Sequence, residues 1–179
     1  MTDDALFPII ALAARYHNDT FRKGGDVPYI EHPKAVVAQL ERWGLHNSEG
    51  ELAVAWGHDL LEDTQVSRQE IVAATDEQTC QRIEMLTRRE EVFPDKADYI
   101  RHVAEHADII TLLVKISDRL CNTRDFIQLK GKDKARRYFR EAEPIQIRLN
   151  LLVRSGDTSN REALVAAQRD WEELAAALV

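Results

Sequence analysis

Apolar residues recur at three- and four-residue spacing along almost the whole sequence, and this period decides the fold class. Leu6, Ile9, Ile10, Ala13 and Tyr16 open the pattern. With 3.6 residues per turn they form one stripe of a helix. Thr2 stands where an N-cap belongs, so a first helix is expected from Asp3 to His17. In "HPKAVVAQLERWG" Pro33 sits where a helix starts, and Gly44 is placed to end it at C′. A third helix is expected from Ser48 or Glu49 to about Leu61. "SRQE" from Ser67 and "TDEQ" from Thr75 both fit the capping box, which marks two more starts. Further helices are expected near Asp95 to Ala107, from Lys132 to Val153 broken or bent near Pro144, and from an Asn160 cap through Leu178. "DIITLLVKISDRLCNTRD" is ambiguous, because its β-branched first half suits a strand. No other segment offers that strand a partner, so it is read as helix. The expectation is an all-α domain over residues 1–155, with a C-terminal helix over 156–179 packed on it.

Composition narrows the function. A chain of 179 residues, 44% hydrophobic, can bury one continuous core. A net charge of -7 argues against broad nucleic-acid binding and leaves room for a small cationic pocket. Cys80 and Cys121 form no CxxC, which points to reduced thiols in a cytoplasm. The acidic start "MTDDALFPII" is no signal peptide. No apolar run approaches the roughly 20 residues that span a bilayer. A homo-oligomer is left open.

One stretch stands out against the amphipathic helices. "WGHDLLEDT" packs His58, Asp59, Glu62 and Asp63 directly behind the apolar "ELAVAW". On a continuous helix His58 and Glu62 would share one face, and Asp59 and Asp63 the next. Burying such carboxylates unpaired is costly, and a divalent cation removes the cost by offsetting charge and filling lone pairs. The chain offers further ligands in His32, before a proline-led helix, and in Asp118, with Asn122 one turn on and Lys115 nearly one turn back. Two imidazoles and two carboxylates, from His32, His58, Asp59 and Asp118, suit Mn²⁺, Fe²⁺ or Zn²⁺ better than Ca²⁺ or Mg²⁺.

"FRKGGDVPYIEHP", "HDLLEDT" and "VKISDRLCNTRD", in that order, resemble the motif series of HD-domain hydrolases of the RelA/SpoT type, including the small stand-alone (p)ppGpp hydrolases. The resemblance runs from about Ala11 to Asp125, and more weakly through "KDKARRYFREAEP". It implies a helical bundle around one Mn²⁺ held by His32, His58, Asp59 and Asp118. It assigns Glu62 and Asp63 to the catalytic acidic pair, and Arg22, Lys23, Tyr29, Asn122 and Arg124 to nucleotide binding. The implied reaction is hydrolysis of the 3′-pyrophosphate of ppGpp or pppGpp to GDP or GTP and pyrophosphate. No synthetase domain is recognised. Two stretches depart from the family: "NDTFRK" lacks the usual Gly-Gln before Arg-Lys, and "LTRREEVFPDKADYIRHV" differs from the long bifunctional enzymes. Another nucleotide such as NADPH, a phosphodiester, or nucleotide sensing without turnover are the competing readings. The intact Glu62–Asp63 pair speaks for turnover.

Other residues receive plainer roles. Arg119 is expected to pair with a nearby acid, and Trp43, Trp56 and Trp171 to fill the core. His17, His46, His102 and His106 are given no function. The basic run from Lys130 to Arg140 reads equally as a solvated helix face or as an electrostatic guide to the pocket.

Overall fold

Helix signals in the sequence become helix ends in the computed structural model, which describes residues 6–22, 25–46, 50–156 and 160–179. The elements are α1 (Phe7–Tyr16), α2 (Glu31–Arg42), α3 (Glu51–Gly57), α4 (Leu60–Asp63), α5 (Arg68–Ala74), α6 (Glu77–Leu86), α7 (Lys96–His106), α8 (Ile109–Lys130), α9 (Lys132–Arg140), α10 (Glu143–Ser155) and α11 (Arg161–Ala177). Among the described residues there is no strand, only an isolated bridge between Phe21 and Pro28 in the loop before α2. The chain is all-α, and the ambiguous 108–125 segment is the long helix α8. No described helix is long and apolar enough to cross a membrane.

The ends follow local chemistry. Ser67 and Glu70 form a reciprocal capping box at α5. Asp95 and Asp108 accept amide hydrogen bonds at the starts of α7 and α8. At α6 the cap is Asp76, which accepts from Thr79 N, rather than Thr75, whose hydroxyl turns back to Ile71 O. An aspartate accepts more strongly there, and Thr75 spends its hydroxyl on the preceding helix. Gly44, at φ 87°, closes α2 in a Schellman motif: Leu45 N reaches Leu40 O and Gly44 N reaches Glu41 O. Pro144 lies in the first turn of α10, so the expected break or bend is a break between α9 and α10. The expected cap at Thr2 and the expected helix start at Ser48 or Glu49 lie outside the described residues.

One continuous core runs through the bundle, and α8 is its axis, packing against α2, α3, α6, α9 and α11. Trp43, Trp56 and Trp171 are all buried, and the Trp171 ring packs at a tilt on Phe139 with centroids 4.5 Å apart. Through Leu164, Ala167 and Trp171 the last helix shares this same core. With α8 central and α2 and α3 on its flanks, residues distant in sequence face each other across a narrow gap.

Candidate metal centre and catalytic cleft

The expected helix through "HDLLED" is interrupted. α3 stops at Gly57, and α4 begins only at Leu60. The cause is visible in the hydrogen bonding: His58 Nδ1 lies 2.7 Å from Ala55 O, so a side chain takes up a terminal carbonyl of α3. His58 and Asp59 therefore sit in the elbow between two helices, not on one helical face with Glu62 and Asp63. A carbonyl can only accept, so in the neutral imidazole Nδ1 carries the proton and Nε2 presents a lone pair.

Three side chains converge on that nitrogen. His58 Nε2 is 3.3 Å from His32 Nε2, 3.1 Å from Asp59 Oδ2 and 3.9 Å from Asp118 Oδ1. His32 Nε2 is 3.5 Å from Asp59 Oδ2 and 3.2 Å from Asp118 Oδ1. Both imidazoles and Asp118 are at most 5% exposed. His32 comes from the first turn of α2, Asp118 from mid-α8. Ligands bound at about 2.1 Å to one ion stand about 3.0–3.5 Å apart, which the His32–His58, His58–Asp59, His32–Asp59 and His32–Asp118 distances match, while His58–Asp118 at 3.9 Å is wider. The donor set thus fits a divalent cation, with His32, His58 and Asp59 offering atoms all within 4.8 Å of one another.

Electrostatics agree. Burial pulls the His58 imidazole down, but Asp59, Asp118 and the Ala55 carbonyl outweigh it and push it up to about 9. Burial alone would raise Asp59, yet the imidazoles hold it low. Asp118 is likewise held well below the usual carboxylate range, against its burial, by Lys115 and the two histidines. Lys115 Nζ is 3.2 Å from Asp118 Oδ2.

A cleft of about 530 Å³ opens beside these donors. Glu62 lines it with Oε2 held by Arg88 N at 2.8 Å, and burial raises its pKa. The Tyr29 hydroxyl touches Asp59 Oδ2 at 2.7 Å and Asp63 Oδ2 at 2.6 Å, while its ring stacks on His17. One phenolic hydrogen serves two carboxylates, a crowding that a nearby cation relieves. Asn122 donates to Asp118 Oδ1, and Arg22 Nη2 reaches Asn122 Oδ1 at 2.7 Å and Asp125 Oδ2 at 2.6 Å.

Of the residues singled out in the sequence, Asp59, Asp118, Glu62, Asp63, Tyr29, Asn122 and Arg22 line this cleft, and His32 and His58 reach Asp59 and Asp118 at its wall. Lys23 lies outside the described residues. Arg124 lines an adjoining groove between α2 and α8, which includes His32 and shares Arg22, Asp125 and Leu129 with the cleft. Sequence reasoning missed the cleft cations Arg88 and Lys96, which no motif marks. Arg119 lies beneath the cleft with its guanidinium on the Tyr138 ring at 3.9 Å and Glu141 at 3.7 Å, the expected acid pairing. His102 and His106 merely stack on each other at 4.5 Å.

Comparison with known proteins matches residues 10–147 to the family model described as HD domain. A relative from Synechocystis sp., named probable guanosine-3′,5′-bis(diphosphate) 3′-pyrophosphohydrolase, is 33% identical over 72% of this chain and 17% of its own length. GTP pyrophosphokinase rsh of Brucella ovis is 33% identical over 85% of the chain and 20% of its own length. The chain therefore spans about a fifth of the length of these curated relatives. A solved structure of a metazoan ortholog of SpoT, described as hydrolysing ppGpp, covers 97% of both chains at 22% identity and TM-score 0.74. That likeness shows a shared fold, and the family match covers most of the chain: the protein belongs to the HD-domain family.

Proposed function

We propose that this chain hydrolyses the 3′-pyrophosphate of ppGpp and pppGpp, giving GDP or GTP and pyrophosphate. The observation that carries the reading is that Asp59 and Asp118 each lie within 4 Å of both the His32 and His58 imidazoles, beside an acidic pair and a cleft lined with cations. The names of the relatives from Synechocystis and Borreliella support the choice of substrate.

His32, His58, Asp59 and Asp118 would hold one divalent cation, with Mn²⁺ the assigned ion and Fe²⁺ or Zn²⁺ chemically admissible. Such a cation supplies Lewis acidity at a phosphoryl oxygen and lowers the pKa of water. The chain's own groups supply the rest. Glu62 is fixed by the Arg88 amide, and its raised pKa suits it to accept a proton from the attacking water. Asp63, held by Tyr29, orients that water. The water oxygen bonds to phosphorus as the bond to the ribose 3′ oxygen breaks, and that oxygen takes up a proton as it leaves. Arg22, Lys23, Arg88 and Lys96 offset the pyrophosphate charge, and Asn122 donates toward a ribose or phosphate oxygen.

The test is incubation of the purified chain with Mn²⁺ and ppGpp, followed by separation of products. GDP and pyrophosphate in equal amounts support the reading. Turnover of NADPH alone would replace the substrate, and ppGpp binding without turnover would make the domain a sensor.

A further inference from the structure

α10 carries apolar side chains on two faces. Ile145 and Leu149 are fully buried and seat the helix between α7 and α11. Polar contacts tie down its flanks: Arg148 Nη1 donates to Glu105 O of α7 at 3.4 Å, and Gln168 Nε2 of α11 donates to Asn150 Oδ1 at 2.9 Å. A surface helix packed in this way needs one apolar stripe, with polar residues on the opposite side. Instead Ile147 and Leu151, one turn apart, stand outward at 55% and 58% exposure. No residue of α10 lines the catalytic cleft, so the hydrolytic reading does not account for them.

The outward stripe has charged ends. Glu143 and Arg154 are exposed and share its face, because at about 100° per residue positions 143, 147, 151 and 154 fall within an arc of about 80°. Among the described residues neither charge is in an ion pair. The order along the face is therefore acid, apolar, apolar, base. The midpoint of Glu143 and Arg154 coincides with that of Ile147 and Leu151 to within half a residue, about 0.75 Å along the axis. A two-fold axis through that point sends Ile147 onto Leu151 and Glu143 onto Arg154. A face that is its own complement in this way fits an isologous contact.

We propose that α10 is the contact helix of a two-fold symmetric homodimer, packed antiparallel on α10 of a second copy. Ile147 and Leu151 of one protomer interdigitate with those of its partner, and at each end Glu143 of one faces Arg154 of the other. The apolar centre supplies the attraction, and the two rim pairs set the antiparallel direction. Two apolar side chains from each protomer make a small contact, so the dimer is a weak one in the micromolar range. The contact involves neither metal nor nucleotide, so it stands or falls apart from the proposed activity.

The experiment is sedimentation velocity on the full chain at low salt, from about 1 to 300 μM. The wild type should pass from monomer to dimer over this range. Leu151→Glu should stay monomeric throughout, with an unchanged circular dichroism spectrum because the position is exposed. Glu143→Lys and Arg154→Glu, each alone, set like charges opposite each other and should weaken the dimer about three- to tenfold. Mixing these two variants should restore wild-type affinity as a heterodimer, since both rim pairs are then again of opposite charge. A wild type that stays monomeric over the whole range overturns the proposal and leaves the stripe to a different protein. A dimer indifferent to Leu151→Glu, or a mixture no tighter than its two components, overturns it as well.

Discussion

Stripping the metal should make the stability of this protein depend on alkaline pH, through His58. The imidazole lies between Asp59 and Asp118 at 3.1 and 3.9 Å, and its proton is then the positive charge those carboxylates retain. Burial opposes that proton, but the carboxylates and the Ala55 carbonyl prevail and raise the pKa from 6.5 to about 9. A shift of about 2.5 units corresponds to about 3 kcal/mol at about 1.4 kcal/mol per unit. The folded state binds the proton more tightly than the unfolded chain, so this contribution is fully present below pH 6.5 and lost as pH rises through about 9. Asp59 and Asp118, held low, act only in acid: their contribution is present above the ordinary carboxylate pKa and lost as pH falls. Urea denaturation in EDTA between about pH 6 and pH 10 should therefore show a fall of about 3 kcal/mol, while Mn²⁺-loaded protein should lose far less. A metal-free stability that stays level across this window would refute the placement of His58 as the proton that answers the two carboxylates.

Tyr29→Phe keeps the ring against His17 and removes only the hydroxyl between Asp59 and Asp63, so Mn²⁺ affinity or turnover should fall about 10- to 100-fold, read by metal titration and rate. Glu62→Gln should retain the metal by elemental analysis and lose turnover by about 100-fold or more, whereas Asp118→Ala should lose both together. Gly57→Ala should destabilise the fold by about 1–3 kcal/mol in thermal denaturation, because its Cβ would lie 2.5 Å from Ile83 Cδ1 in a fully buried part of the core.

The helical class was legible because periodicity and capping residues are local properties. Gly44 and the Ser67–Glu70 box were read correctly from a few adjacent residues. The elbow at His58–Asp59 was not, because its cause is a side chain competing for a backbone carbonyl, and nothing in the residue types announces that choice. Thr75 and Asp76 were both plausible caps, and the outcome turned on the Thr75 hydroxyl reaching back to Ile71. The meeting of His32, His58 and Asp118 could be anticipated only through motif order, since no local rule joins positions so far apart. Arg124 lies two residues past Asn122, a rotation of about 200° around α8, and so lines the adjoining groove between α2 and α8.

α8 runs as 22 uninterrupted residues from Ile109 to Lys130, with Lys115, Asp118 and Asn122 on one side and Arg124 on the other. Both grooves are thereby ruled from a single rod. Residue types along it can drift one at a time, but its length between positions 115 and 125 cannot: inserting or deleting one residue would rotate everything beyond it by about 100° and uncouple the two cavities from their shared wall.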